Sequence, residues 1–554
     1  MLDFRIYRYA FAPALLAFVA LMFSLQGVPA GIEPVAPPAS FESGRAAATA
    51  REIVETAPER QPGSAGDEAV ADLVAERFAE TEVGTVSEQA LEASFDGDDV
   101  TVRNVILTLP GDSPASIVVL AGRDSADGPG AASSAAATAT LVELGGALAV
   151  AGHAKTYVLA STSATTAGAA GAREAVAAVP DPEAVEAVIV LSQPGSANPR
   201  GPYVIDSSTD TTRTAAQLVS TAELAVAEQA GREAGQPGVV SQLARLAFPS
   251  GLGEQAPLIA AGLDAIGISS AGERPLPAGE DEIDDLSRPV LGDFGQAAST
   301  IVQAVDASAA ELERGPDPYL DTGDNLVPGW AVALLALALL APALVAAVDA
   351  SGWALRRSQG LAEALAWAAC ALVPLLAGLV ALYALALVGL VDTPDFPFDP
   401  GRQGFDVAAG ASTILVAAAI VGTVAVLRPL RLSLDAPLPG LVAAVGVTSV
   451  AGGLLAWLAN PYLGLLAVPA AHAWLLAAAG AGGRLAILGV LAALGPLLIA
   501  LGVVASALGL GAVAPWTFAL LVADGQIPFG VAASLCILVA SLAAVVAVAR
   551  RMPA

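Results

Sequence analysis

Residues 116–124 read Ser116-Ile117-Val118-Val119-Leu120-Ala121-Gly122-Arg123-Asp124. The run Ser116–Ala121 is short, apolar and rich in β-branched side chains, and a polar, glycine-containing loop follows it. Such a run reads as a strand buried on both faces. Helical periodicity follows over 133–150. Further buried-strand candidates are Thr156–Ala160, Ala184–Leu191 and Ala265–Ser269, with helical stretches between them. Upstream, 45–57 and 66–80 have helical spacing around the turn Arg60-Gln61-Pro62-Gly63-Ser64. Val83–Phe95 and Val100–Leu109 alternate as two strands around Asp96-Gly97-Asp98-Asp99. The expected fold is α/β, a mostly parallel sheet with helices on both faces. Sites in such sheets form where loops leave the carboxyl ends of the strands.

Composition divides the chain. At 55% hydrophobic residues and a mean hydropathy of +0.67 it is too apolar for one water-soluble domain. Residues 31–325 hold 44 acidic and 15 basic side chains, a net charge of −29; the remainder carries 10 basic and 9 acidic, a net of +1. One acidic water-soluble part is therefore joined to a lipid-embedded part, and nucleic acid is excluded as a partner of so acidic a surface. Lys155 is the only lysine. Cys370 and Cys536 both fall in apolar runs, so the acidic part has no disulfide.

Apolar runs of membrane-spanning length recur near 326–348, 364–391, 407–427, 438–458, 462–480, 485–508 and 528–549, which gives an all-α bundle of about seven transmembrane helices. Val513–Val522 is too short to span. A further apolar run, Ala10–Leu25, follows Arg5 and Arg8. It reads as a signal peptide, with Val28-Pro29-Ala30 as the cut, or as an uncleaved anchor, and the proline favours the anchor. With about eight helices, alternation puts Arg356, Arg357, Arg428, Arg431, Arg484, Arg550 and Arg551 inside and only Arg402, beside Asp392, Asp395, Asp399 and Asp406, outside. That distribution follows the positive-inside rule. Expected, then, are an anchor at 1–30, a linker at 31–44, an extracytoplasmic α/β domain at 45–325 and a multi-pass domain at 326–554 in the cell membrane, with both termini cytoplasmic. The bilayer is the implied partner, with other membrane subunits as further candidates. Glu363 and His472 alone bring ionisable groups near the helices. A transporter with an accessory exported domain is therefore a second alternative only.

Several stretches of the acidic part match one family in order. These are Arg60-Gln61-Pro62-Gly63-Ser64, Asn104-Val105-Ile106 through Leu109-Pro110-Gly111, Val118–Leu144, Gly262–Ile268 and Glu282–Leu286. Together they resemble metallopeptidase family 28, the di-zinc aminopeptidases. The resemblance implies a zinc-exopeptidase-like fold, two zinc ions held by His and carboxylate ligands, and a Glu base. It puts the family's first ligand histidine on Gly122 and its orienting carboxylate on Asp124. The bridging aspartate falls on Ser133, the Glu-Glu pair on Thr165 and Thr166, the next ligand on Ser192, and the closing Asp-His pair on Glu254 and Gln255.

The chain has two histidines in 554 residues. His472 lies in a membrane-length run, and His153 in a turn after the 133–150 helix. The five ligand positions and the base position thus lack the residues the chemistry requires. No G-x-S-x-G elbow surrounds any serine, no EF-hand spacing occurs, and Glu280–Asp285 reads as a solvated acidic face. The layout is similar to that of the non-catalytic membrane subunit of GPI transamidase. The expectation is a membrane-anchored pseudopeptidase, with no catalytic residues and no cofactor, that binds or presents a peptide, lipid or glycan. An active zinc exopeptidase is the alternative.

Overall fold

The computed structural model describes residues 4–551 except 166, 180, 199, 392, 394–399, 401–403, 428–435 and 482. Arg402, Arg428, Arg431, Asp392, Asp395 and Asp399, part of the charge pattern above, lie outside the described residues.

The sheet contains strands β1 (Thr85–Phe95), β2 (Asp98–Leu109), β3 (Ser116–Gly122), β4 (Thr156–Thr162), β5 (Val185–Gln193), β6 (Tyr203–Ile205) and β7 (Ala265–Ser269). Their spatial order is β1-β2-β4-β3-β5-β7-β6. The central four, β4-β3-β5-β7, are mutually parallel. The strands outside them pair antiparallel with their neighbours, so the sheet is mixed around the expected parallel core. A two-residue turn sets the β1–β2 register. Asp96 and Gly97 have φ of 52° and 84°, the left-handed pair that matches the twist of a tight hairpin.

The unbroken apolar run of β3 serves both faces. Ile117, Val119 and Ala121 pack under the helices 43–56, 65–79, 134–149 and 288–307, while Val118 and Leu120 pack under 170–177 and 255–260. All five are fully buried. Each such Val, Leu or Ile contributes about 1.5–3 kcal/mol over its exposed state. The short strand β6 lies outside the expected set, because its three residues are too few for a periodic signal.

Among the described residues seven helices are long and apolar enough to cross a membrane: Gly329–Arg356, Leu361–Leu387, Val407–Leu427, Leu438–Ala459, Pro461–Ala478, Gly483–Leu508 and Phe529–Ala549. The chain is a multi-pass membrane protein. Residues 438–459 lie at the centre of the bundle, where small residues allow close approach. A β-carbon at Gly453, for example, would stand 2.8 Å from that of Ala471. The N-terminal helix Ala12–Phe23 packs Ala14 and Ala17 on Ala338 of the first of these seven. Ala514–Asp524 forms a short helix of its own.

Three features join the halves. A small antiparallel sheet pairs Gln26–Gly27 with Asn325–Pro328, and Asn325–Pro328 with Tyr319–Asp321. It brings the chain's passage into the α/β half beside its return to the membrane. The helix Val239–Ala247 buries Ala244, Leu246 and Ala247 in the same apolar cluster as the membrane helices. Asn460 donates to the carbonyl of Leu246 at 2.7 Å and accepts from the backbone of Tyr462 and Leu463, capping a membrane helix while holding the α/β half.

Candidate functional site

The carboxyl ends of β3, β4 and β5 and the loops beyond them open into one cleft of about 710 Å³. This is within the range of small-molecule sites. Gly122, Asp124, Ser133, Thr165, Ser192 and Glu254 all line it. Six positions drawn from well-separated loops therefore converge. Gln255 stands behind the wall. It is fully buried, and its amide donates to the carbonyls of Leu252 and Ser207. Thr166 lies outside the described residues.

Two arginines hold the loops in place. Arg60 is buried; its guanidinium donates to the carbonyls of Arg123 (2.9 Å) and Ala57 (2.8 Å) and to Ser134 Oγ (2.8 Å). The turn at 60–64 is thereby tied to the loop that starts the 134–149 helix. Burial lowers the Arg60 pKa to about 10, and it stays charged near neutrality. Arg123 pairs with Asp67 at 2.8 Å, both without exposure, and donates to the carbonyl of Ser161. Asp67 also accepts from Gly63 N and Ser163 Oγ, so its charge is fully compensated.

Three further carboxylates face the cleft with no cation paired to them. Asp124 accepts from Thr165 Oγ1 at 2.7 Å and from Thr165 N at 3.2 Å. Burial, with the Asp67 charge nearby, raises its pKa to about 6 against those bonds. Glu254, 2% exposed, accepts from Thr162 Oγ1 at 2.7 Å, and burial raises it to about 7. Asp281 accepts from Ala132 N at 2.7 Å, Ser133 N at 3.0 Å and Ser133 Oγ, and burial raises it to about 6.

Asp281 overturns the expected solvated acidic face at 280–285 at that residue. It is 5% exposed because it holds the 131–133 turn. The local sequence gives no sign of this, since the partner backbone lies 148 residues away. His153, in the turn after the 134–149 helix, is half-buried and stacked on Tyr157 at 4.6 Å. Tyr157 is the second residue of β4, whereas the cleft opens at that strand's other end.

Among the described residues, the donors that line the cleft do not fit a di-zinc centre. A β-carbon at position 122 would stand 2.2 Å from Thr165 Oγ1. Thr165 thus occupies the space a side chain at 122 would need, and its hydroxyl and amide hold the Asp124 carboxylate. Among the described residues no group of three His, Cys, Asp or Glu side chains is placed to share one ion.

The remaining wall comes from the membrane half. Pro400, Leu508 and Gly509 line the cleft together with Arg274 and Pro275-Leu276-Pro277. Leu508 ends the helix Gly483–Leu508, and Gly509, at φ 72°, turns the chain away. A β-carbon at Gly509 would lie 2.3 Å from an Arg274 guanidinium nitrogen, so the missing side chain is what lets Arg274 lie against the helix end.

The fold and cleft define an α/β protein with a site at its strand ends, joined to a multi-pass helical bundle. It is similar to glutaminyl cyclase of an Acidobacteriales bacterium (18% identity over 51% of this chain and 99% of that one, TM-score 0.39). It is likewise similar to BSAP, a zinc aminopeptidase from Bacillus subtilis (15%, 50% and 98%, TM-score 0.40). A third similar structure is Porphyromonas gingivalis glutaminyl cyclase (18%, 47% and 98%, TM-score 0.38). No protein-family model matches the chain, and no curated protein matches it.

Proposed function

We propose that the cleft binds a ligand without cutting it, and that the protein is a membrane-anchored pseudopeptidase that holds or presents a peptide, lipid or glycan. The ordered resemblance at 60–64, 104–111, 118–144, 262–268 and 282–286 supports descent from a zinc exopeptidase. One observation carries the loss of hydrolysis: Thr165 fills the side-chain space of Gly122 and is locked onto Asp124. A neutral hydroxyl there cannot hold a divalent cation as a histidine or carboxylate does. The carboxylates that remain take their hydrogen bonds from Thr162, Thr165, Ser133 and backbone amides. In this reading Asp124, Ser133, Thr165, Thr166, Ser192, Glu254 and Gln255 are remnants of the active site around Gly122, and the α/β half faces the outer side of the membrane.

The test is the zinc content of the purified full chain and its turnover of aminoacyl substrates with and without chelator. The expected result is substoichiometric zinc and no chelator-sensitive turnover. One zinc or more per chain, with turnover lost on chelation, overturns the proposal in favour of an active exopeptidase.

A further inference from the structure

The cleft has an ordered polarity. Its membrane-side wall is apolar and is built by the end of a membrane-length helix, at Leu508 and Gly509. Next to that end lies Arg274. Its guanidinium is exposed and, among the described residues, forms no ion pair, while its backbone carbonyl is fixed by Gln193 Nε2 at 2.9 Å. At the sheet side stand Asp124, Glu254 and Asp281, whose partners are hydroxyls and backbone amides rather than cations. Thr162 engages only one oxygen of Glu254, and this buried carboxylate lines the cleft. Away from the bilayer the order is therefore apolar surface, a guanidinium without an ion-pair partner among the described residues, then carboxyl groups.

A phospholipid with an amine-bearing headgroup has the complementary order. Its chains lie in the bilayer, its phosphate follows, and its ammonium is furthest out. Arginine suits the phosphate because its planar fork donates two parallel hydrogen bonds. A primary ammonium offers three N–H donors to carboxylates, whereas a quaternary amine offers none. The volume of about 710 Å³ is sufficient for a headgroup and the upper part of a glycerol unit. We infer that the cleft takes the headgroup of a phosphoethanolamine lipid from the adjoining leaflet, with its phosphate at Arg274 and its ammonium at Glu254 and Asp124. This rests on the reading of the cleft as a binding site that does not hydrolyse.

The full chain is exchanged into vesicles of equal phosphatidylethanolamine, phosphatidylcholine and phosphatidylglycerol, then recovered, and its retained lipid is identified by mass spectrometry. The expected result is enrichment of phosphatidylethanolamine over both others. Arg274→Ala and Glu254→Gln should each cut the enrichment about tenfold, the loss of one charge-assisted hydrogen bond. Arg274 is exposed and Glu254→Gln conserves shape, so folding is preserved; thermal unfolding at pH 4 no earlier than the parent's confirms it. Retained lipid that mirrors the vesicle composition overturns the inference, as does equal retention of phosphatidylcholine. Binding of soluble phosphoethanolamine as tight as that of the lipid overturns the lipid as the source. Failure here leaves the zinc and turnover measurements unaffected, so it is distinguishable from failure of the pseudopeptidase reading.

Discussion

The α/β half and the helical half treat buried polar groups in opposite ways. The first buries charges outright, including Arg60, Arg123, Asp67, Asp124, Glu254 and Asp281. In the seven membrane-length helices, the buried polar side chains among the described residues are serines, none of them charged. Ser541 returns its hydroxyl to the carbonyl four residues back, as the less buried Thr413 and Thr423 do. In water-soluble structure a buried charge is retained if loops can bring it partners. In hydrocarbon the cost is too high, and helices satisfy themselves. The difference teaches where chemistry can be placed: at the strand ends and at the junction, with the bundle supplying an apolar wall.

The largest expected effect tests the buried charges. Arg123→Met leaves Asp67 buried and unpaired, and should lower the stability of the α/β half by about 3–5 kcal/mol. Thermal unfolding of the full chain, followed by a probe in the α/β half, measures it; a loss under about 1 kcal/mol would mean that the pair is not structural.

Next comes the pH dependence of Glu254. Folded, it keeps its proton to about pH 7; unfolded, it releases it near 4.5. Folding therefore takes up a proton between those values, and this contribution to stability is lost as pH rises through the window. Asp124 and Asp281, raised to about 6 from 3.8, act in the same direction at lower pH. Glu254→Gln should match the parent at pH 4 and exceed it at pH 8 by roughly 3 kcal/mol. Parallel unfolding profiles of the two proteins across this range would refute the assignment.

Placing a histidine at position 122 is a sharper probe of the cleft. Gly122→His must displace Thr165, and should destabilise by about 1–3 kcal/mol. Adding Thr165→Ala should recover part of that loss; if the double variant is no better than the single, Thr165 does not fill the space beside Gly122. Asn460→Ala removes a helix cap and the bond to Leu246, for a cost of about 1–2 kcal/mol, read as easier proteolysis at the junction. The smallest change belongs to the surface. Arg77→Ala breaks a half-buried pair with Glu52 and an exposed one with Glu80, and the melting temperature should move by no more than about 1 kcal/mol implies.

Much of the fold was legible because it depends on local pattern. The runs at 116–121, 156–160, 184–191 and 265–269 alternate with helical stretches and became the parallel core. The spans 407–427 and 438–458 agree with the helices within a residue. The candidate site was legible only through ordered motifs, which put Gly122, Ser133, Thr165, Ser192 and Glu254 in one cleft though they are scattered over 130 residues. Asp281 was missed because its burial depends on backbone amides far away in sequence. Arg60 and Arg123 looked like parts of loop motifs, and nothing local marked them as buried braces. The contribution of Leu508 and Gly509 was equally invisible, since they belong to a run that reads as a lipid-facing helix.

By itself, then, the sequence determined the periodic and compositional properties: an acidic α/β part, a helical apolar part, and only two histidines in 554 residues. These follow from hydrophobic period and residue type, which are local. Only the tertiary structure decided that Thr165 fills the space beside Gly122, that Asp281 is buried, and that Arg274 meets the end of a membrane helix at Gly509. Those facts depend on distances between segments remote in sequence, which packing fixes and composition does not record.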